Sequence, residues 1–477
     1  MRHSSIIALI LSSHLAGPLF AQLPDSPTGR GGNKIIELLK SGPDAVTAEW
    51  IQESFTPEFL AETSPAERQE WLSQAIERIG VLQLRGVEKT DQFAATIMGL
   101  SSNTGEKVEI RYEVADKPPH QIVLLEIDED SGGPQRELTQ DEMVKESAAY
   151  LEGLSADEFS GAALIAKGDE VLVEVAQGLA SRRYDIPNTP GTRFNLGSIN
   201  KLFTKIALAQ LAAKGKLSFD DTVAKHLPDY PNQEIAEKIT IQQVATHSAG
   251  LGDIFTDEFA AMNKERLKRA SDYFQLFAND PLLFEPGTSQ RYSNGGYMVL
   301  GAIIEAVSGQ TYDDYVQQHI YDPAGMKATG SFAMNDPVPD LAMGYTRGME
   351  HDHDDHHGPT PGMDAPWREN GFMIPFTGTP AGGGYSTVGD LLRFRHAFVG
   401  HELLEPRYTE WVVTNKLPDQ TPEPGGFGIG VAGGAPGVNA ELEMGGDYTV
   451  IVMTNLDPPS ASDVARHLRG LVESVVE

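Results

Sequence analysis

Between Phe194 and Lys216 the chain reads Phe-Asn-Leu-Gly-Ser-Ile-Asn-Lys. It then runs from Leu202 to Ala213 with only Thr204, Lys205 and Gln210 interrupting the apolar residues. A helix apolar most of the way round has no face to give to water, so the segment predicts a helix at the centre of a domain. Gly215 marks its end, because glycine accepts the left-handed conformation that closes many helices. Ser198 and Lys201 fall at its start with i, i+3 spacing, which puts both side chains on one face. Free N–H groups and the macrodipole at a helix start favour developing negative charge on a serine oxygen. A lysine held against a buried wall gives up its proton more readily than in water. These are the parts of an activated serine nucleophile. A serine in that place is also a common N-cap, so the reading depends on what the rest of the chain supplies.

At 477 residues the chain has room for two or three domains. Its 37 basic and 68 acidic side chains give a formal net charge of −31. Such a surface repels nucleic acid and anionic lipid, and neither is expected as a partner. There is no cysteine, so disulfides, thiolate catalysis and cysteine-ligated metal sites are excluded. Residues 1–21 read as a signal peptide: Arg2 and His3 are polar and basic, Ile6–Leu11 and Leu15–Phe20 are apolar, and Leu19-Phe20-Ala21 is a cleavage site leaving Gln22. Ser12, Ser13 and His14 interrupt the segment, which is short for a membrane span, and no later stretch approaches the ~20 apolar residues a span needs. A periplasmic or secreted protein, with no membrane span after cleavage, is the expectation.

Residues 22–33, rich in Pro, Gly and polar side chains, read as a flexible leader. Residues 34–128 read as a small α+β domain. Helical patterns at Ile36–Leu39, Ala45–Phe55 and Ala66–Ile79 precede strand-like alternation at Gln92–Met98, Val108–Val114 and Gln121–Ile127. Residues 129–138 read as a linker, after which Thr139-Gln140-Asp141-Glu142 forms a capping box ahead of a helix. Two strands follow in Ser160–Val175, joined at Lys167-Gly168-Asp169, and the larger domain occupies 139–477.

The second informative stretch is Phe284-Glu-Pro-Gly-Thr-Ser-Gln-Arg-Tyr292-Ser-Asn294-Gly-Gly-Tyr297, a loop by its Pro and Gly content that leads into an apolar helix ending at Ser308-Gly309. Tyr292 and Asn294 share a side if the backbone is extended there. A tyrosine beside a deprotonated lysine can serve as a general base, and an asparagine can brace it and donate to a carbonyl. The bland reading is an exposed aromatic next to a turn-forming asparagine. Taken together, Ser198-x-x-Lys201 and Tyr292-x-Asn294 resemble the serine β-lactamase and penicillin-binding-protein superfamily. More narrowly they resemble its class C-like branch of esterases, D-aminopeptidases and D-alanyl-D-alanine carboxypeptidases. Thr246-His-Ser-Ala-Gly-Leu-Gly252, Tyr321-Asp-Pro-Ala-Gly-Met326 and Pro380-Ala-Gly-Gly-Gly-Tyr-Ser-Thr387 match further landmarks, and the resemblance covers roughly Glu142 to the C-terminus.

The resemblance implies an α+β, β-lactamase/transpeptidase-like fold: an antiparallel sheet flanked by helices plus a helical region, with Ser198 in the cleft between them. It implies that Ser198 forms an acyl-enzyme, that Lys201 helps take its proton and that Tyr292 acts as base towards Ser198 and then water. It implies that Asn294 binds the acyl side chain or steadies Lys201. The backbone N–H groups of Ser198 and Gly434 would form the oxyanion hole. One departure stands out. The third motif of these proteins opens with Lys or His, and by register with Gly433-Gly-Ala-Pro-Gly437 that place holds Val431, on a strand pair that looks shortened. Val431 neither donates nor accepts a proton and cannot attract a carboxylate. The expected activity is therefore serine hydrolysis of carboxylesters or small amides and peptides, without cofactor or metal. The rivals are a non-catalytic binding protein of the same fold and a β-lactamase or DD-peptidase. His351, His353, His356 and His357, interleaved with Asp352, Asp354 and Asp355, could suit zinc, nickel or copper, but read as a solvated loop between Gly348 and Gly358-Pro359. His247 reads as a brace for the site's wall through a backbone hydrogen bond.

Overall fold

The computed structural model describes residues 26–61, 65–89, 93–101, 107–115, 117–130, 137–348, 365–418 and 428–476. The segment 1–21 read as a signal peptide, the middle of the linker and the His/Asp-rich loop 351–357 lie outside the described residues. The chain divides into two compact units between Gln135 and Arg136.

In the first unit, helices α1 (Pro27–Ser41), α2 (Ala48–Ser54), α3 (Pro57–Ala61) and α4 (Pro65–Ile79) precede strands β1 (Leu82–Lys89), β2 (Ala94–Ser101), β3 (Lys107–Val114) and β4 (Ile122–Asp130). The strands form an antiparallel sheet in sequence order. Its buried face carries Ile97, Ile110, Tyr112 and Val114, packed against Ile35, Leu38, Ile51 and Ile76. The leader expected over 22–33 is helical from Pro27. Ser26 Oγ accepts from Gly29 N at 3.0 Å and Pro27 occupies the first turn, which offsets the poor helix propensity of the glycines. The Tyr112 hydroxyl donates to Thr28 O at 2.8 Å, tying the helix start to β3. Gly31 lets it approach, since a Cβ there would lie 2.6 Å from Val114 Cγ1. Strand β1 was not legible in the alternation because the register shifts between Leu84 and Gly86. The linker expected over 129–138 is likewise structured at both ends. Residues 129 and 130 complete β4, and Leu138 bridges to Val475.

The second unit opens with α5 (Gln140–Gly153), capped as its sequence predicts: Glu142 N donates to Thr139 Oγ1 at 3.3 Å, and Thr139 N to Glu142 Oε2 at 2.9 Å. Strands β5 (Gly161–Lys167) and β6 (Glu170–Gln177) follow, then helix α6 (Asn200–Ala213), helices α7 (Asn294–Ser308) and α8 (Val388–Val399), strands β7 (Gly428–Ala435), β8 (Val438–Gly445) and β9 (Tyr448–Thr454), and helix α9 (Ser460–Glu473). Five strands make one antiparallel sheet in the order β7-β8-β9-β5-β6. Period-two alternation buries both faces. Ala163, Ile165, Val450 and Val452 meet α5 and α9, while Ala162, Leu164, Ile451 and Met453 face α6, α8 and the helical region. No helix among the described residues is long and apolar enough to cross a membrane.

Helix α6 is the buried centre anticipated from its composition. Phe203 packs edge-on against Tyr321 and Phe394, each at 5.1 Å between centroids. Gly215 closes the helix with φ 65°, Lys216 N donating to Leu211 O and Gly215 N to Ala212 O, the paired bonds of a Schellman cap. Strand β7 lies on the open edge of the sheet, with its last residues against the turn that precedes α6. A Cβ at Gly433 would overlap Leu196 O and sit 2.9 Å from Ser198 N, both backbone atoms that cannot yield. A Cβ at Gly430, three residues earlier, would meet nothing nearer than Glu443 Cγ at 4.0 Å. Gly433→Ala should therefore cost about 1–3 kcal/mol as an overpacked contact, read as a lowered Tm in thermal unfolding. Gly430→Ala should melt with the wild type, and equal melting of the two variants would contradict this packing.

Candidate active site

Three short segments converge on Ser198. Gly197–Ile199 forms a tight 3-10 turn that runs directly into α6, so Ser198 sits two residues before the helix and Lys201 inside its first turn. The turn is pinned from both sides. Gly197 N donates to Asn195 Oδ1 at 2.8 Å, Leu196 N to Gly384 O at 2.7 Å, and Gly383 N to Gly197 O at 3.2 Å. Gly197 has φ +50°, and a Cβ there would press on the Gly433–Gly434 peptide at 2.9 Å. The glycine is therefore required by both conformation and space.

Tyr292 and Asn294 arrive at the mouth of α7, where Ser293 is the N-cap, its Oγ accepting from Gly296 N at 2.9 Å and donating to Gly252 O at 2.7 Å. Ser293 between them is extended, with φ −143° and ψ 115°, so the two side chains share a side as the alternation requires, at a capped helix start. The Tyr292 hydroxyl donates to Ser198 Oγ at 2.7 Å, and Lys201 Nζ lies 3.2 Å from the same oxygen. Lys201 Nζ donates to Asn294 Oδ1 at 2.7 Å and to Ala381 O at 2.5 Å. It also lies 4.6 Å from the Tyr292 ring centroid and 5.3 Å from that of Tyr297.

Burial sets the electrostatics. Lys201 is 6% exposed. Desolvation brings its pKa down to about 7, against an upward pull from the Asp253 carboxylate. Burial pushes the Tyr292 phenol up to about 12, so it holds its proton at neutral pH. His247 is brought down to about 4, by burial and then by the charges of Lys201 and Lys205. Neutral His247 uses Nδ1 to accept from Ser293 N at 3.1 Å, and its ring stacks on Tyr292 at 4.5 Å. It is a brace, with its proton on Nε2.

Asp253 was not recognised in the sequence. It accepts from Asn294 N at 2.8 Å and from Asn294 Nδ2 at 3.0 Å, which orients the amide so that its oxygen faces Lys201. The only cue was its position after the Thr246–Gly252 landmark. Ala381 O was invisible for a different reason: its role belongs to the backbone, and any residue type would supply it.

Gly434 lies on the edge strand. Pro436-Gly437 is a two-residue turn, and Ala435 pairs with Val438 and Gly434 with Asn439. Hydrogen-bonded and non-hydrogen-bonded pairs alternate along an antiparallel ladder, so the Gly434 N–H turns from β8 to the open edge, where the 3-10 turn of Ser198 packs. Val431 pairs with Leu442 and packs against the core on the face that carries α6. Its aliphatic side chain brings no charge to that strand.

The description "Beta-lactamase" belongs to a family model that matches residues 147–473. A penicillin-binding protein of Bacillus subtilis (strain 168) is 30% identical over 246 residues, which cover 50% of this chain and 52% of that protein. The chain spans about half the length of the curated relatives it matches. The crystal structure of a penicillin binding protein from Bacillus halodurans superposes with a TM-score of 0.56 at 29% identity, over 69% of this chain and 97% of that one. A D-amino acid amidase from Ochrobactrum anthropi SV3 shares the fold at 19% identity and TM-score 0.55, over 70% of this chain and 99% of that one. With its larger unit matched almost from end to end, the chain belongs to the beta-lactamase family of serine acyl-transferases and hydrolases, and that unit has the β-lactamase/transpeptidase-like fold.

Proposed function

We propose that the protein is a serine hydrolase acting outside the cytoplasm, through an ester formed on Ser198, on carboxylesters or small amides and peptides. The observation that carries this reading is a lysine at about pKa 7 whose nitrogen lies within 3.2 Å of a serine oxygen. A neutral amine has two N–H donors and one lone pair. The shorter contacts, to Asn294 Oδ1 and Ala381 O, use the donors, and the lone pair is left for the Ser198 proton.

In the first step Lys201 accepts that proton as Ser198 Oγ bonds to the substrate's acyl carbon. The N–H groups of Ser198 and Gly434 hold the oxyanion. Expulsion of the alcohol or amine needs a proton, and Tyr292, whose phenol stays protonated, is the relay that delivers it while Lys201 returns to the neutral form. Water then attacks the acyl ester and frees Ser198. Tyr292 thus works as a proton carrier and not as a standing phenolate. The residues 1–21, read as a signal peptide, support the location.

A fluorophosphonate probe should label Ser198, found by peptide mapping, and Ser198→Ala should lose at least about two powers of ten in rate. Labelling elsewhere, or an active alanine variant, would remove Ser198 from the reaction. The pH profile has a definite sign. Ammonium Lys201 cannot accept a proton, so kcat/KM for a neutral ester should climb as pH rises through about 7 and level off above it. Asp253→Asn removes the charge that favours the ammonium form, so the climb should move to lower pH; an unmoved limb would mean that another group titrates.

Val431 bears on the substrate. A β-lactam or a D-alanyl peptide brings a carboxylate whose desolvation a charge-assisted hydrogen bond would offset. Val431 makes no such bond, and a neutral ester has no need of one. The kcat/KM for a short-chain p-nitrophenyl ester should exceed that for nitrocefin by at least about a hundredfold, equivalent to ~2.7 kcal/mol. Val431→Lys should narrow the gap. Efficient nitrocefin turnover by the unmodified protein would favour the β-lactamase reading instead.

A further inference from the structure

The peptide between Gly433 and Gly434 is held from the side away from the candidate active site. A trans peptide is planar, with its C=O and N–H pointing in opposite directions, so whatever fixes Gly433 O also aims the Gly434 N–H. That N–H turns to the open edge of β7, against the turn of Ser198. Gly433 O turns back across the hairpin and accepts from Asn439 Nδ2 at 3.2 Å.

Asn439 lies on β8 and is 2% exposed. Its amide is fixed at both ends. Oδ1 accepts from Ala461 N at 2.6 Å and from Ser462 N at 3.0 Å, which are free N–H groups at the start of α9. Pro459, in the cap position of that helix, has no side chain able to accept them, and Asn439 takes its place from the neighbouring strand. These backbone donors decide which end of the amide is oxygen, so Nδ2 is left to face Gly433 O and, at 3.3 Å, Ser462 Oγ. Ser462 Oγ donates in turn to Glu441 Oε1 at 2.6 Å.

Other groups hold the rest of the hairpin. Gly437 N donates to Asp457 Oδ1 at 2.7 Å, and Asn370 Nδ2 donates to Pro436 O at 2.7 Å. Asp457 Oδ2 accepts from Arg347 N at 2.8 Å, which fixes that carboxylate in turn. The turn at Pro436-Gly437 therefore keeps its place without Asn439. The contact that Asn439 adds falls on the peptide that packs against Ser198.

We propose that Asn439 is a positioning residue for the oxyanion donor: it couples the start of α9 to the Gly433–Gly434 peptide and sets the direction of the Gly434 N–H without touching substrate. The assignment rests on the serine hydrolase reading, and the test separates the two. Wild-type protein, Asn439→Asp, Asn439→Ala and Glu441→Gln are assayed with p-nitrophenyl acetate. Rates are expressed per Ser198 titrated to completion by a fluorophosphonate, so that unfolded protein does not count. Asn439→Asp keeps acceptors for Ala461 N and Ser462 N, and negative charge is favourable at a helix start. A residue that only capped α9 would therefore show wild-type rates in this variant. A positioning residue loses its donor there and turns a carboxylate oxygen towards Gly433 O. Loss of an oxyanion donor costs about 100- to 1,000-fold in kcat, and a misdirected one should cost at least about tenfold, in Asn439→Asp and Asn439→Ala alike. KM should stay within about threefold, because the oxyanion forms only in the transition states of acylation and deacylation. In Asn439→Ala, which adds no charge, the climb of kcat/KM through about pH 7 should stay where the wild type has it, since Lys201 is untouched. Glu441→Gln changes the same face of β8 beside Ser462 and should match the wild type. With Ser198 labelled in the wild type, the assignment of Asn439 alone is overturned by an unmoved kcat in Asn439→Asp, a raised KM with kcat held, a displaced climb in Asn439→Ala, or an equal loss in Glu441→Gln. A wild-type protein that does not label at Ser198 overturns the underlying reading and this assignment with it.

Discussion

The structure of the larger unit turns on one buried amine. Lys201 is held where its charged form is disfavoured, and every element around the site contributes to holding it there. Helix α6 is apolar nearly all round because it forms the wall that excludes water from Nζ. The start of α7 supplies Asn294 Oδ1, and the loop before α8 supplies Ala381 O. An isolated ammonium taken fully out of water would cost many kcal/mol, and proteins generally avoid that cost by letting the group neutralise. Here the charge of the Asp253 carboxylate opposes the neutralisation, and the pKa comes to about 7. A base poised near the working pH combines availability with driving force.

Close backbone approach is the second requirement. The 3-10 turn of Ser198 and the edge strand β7 come together so tightly that neither Gly197 nor Gly433 has space for a Cβ. That contact brings the Gly434 N–H towards Ser198. Donors fixed in advance, where oxyanion charge would develop, need no reorganisation during reaction. On the proposed function, the glycines are steric consequences of placing two amide groups beside one oxygen. That placement is made by backbone atoms alone, whatever the side chain at 431.

Much of this was legible in the chain. The burial of α6 follows from its composition, its end from Gly215, and the juxtaposition of Ser198, Lys201, Tyr292 and Asn294 from two motifs read together. What escaped did so for identifiable reasons. Asp253 acts through Asn294 and belongs to no motif. Ala381 contributes a carbonyl, to which sequence is blind. The helix at Pro27 looked like leader because Gly29, Gly31 and Gly32 usually argue against helix, and the hydrogen bond from Tyr112 to Thr28 that outweighs them spans 84 residues. Strand β1 was obscured by a register shift. Long-range contacts decided these local outcomes.

The charge inventory of the site leads to a last step. Above pH 7, Lys201 is an amine, His247 a neutral imidazole and Tyr292 a phenol. Asp253 brings a carboxylate into the same network through Asn294. Lys205, brought down by burial only to about 8, is a positive charge felt at His247, while Val431 on the neighbouring strand adds none, inside a chain of net charge −31. A carboxylate-bearing substrate entering the site would give up hydration, and Val431 offers it no charge-assisted bond in return. A neutral acyl compound does not meet that obstacle, and on the proposed reaction the oxyanion formed from it would be held by two amides. On that proposal, an apolar residue at 431 and the two amide donors of Ser198 and Gly434 are compatible features, a site suited to stabilising charge that arises in the reaction rather than charge that the substrate carries in.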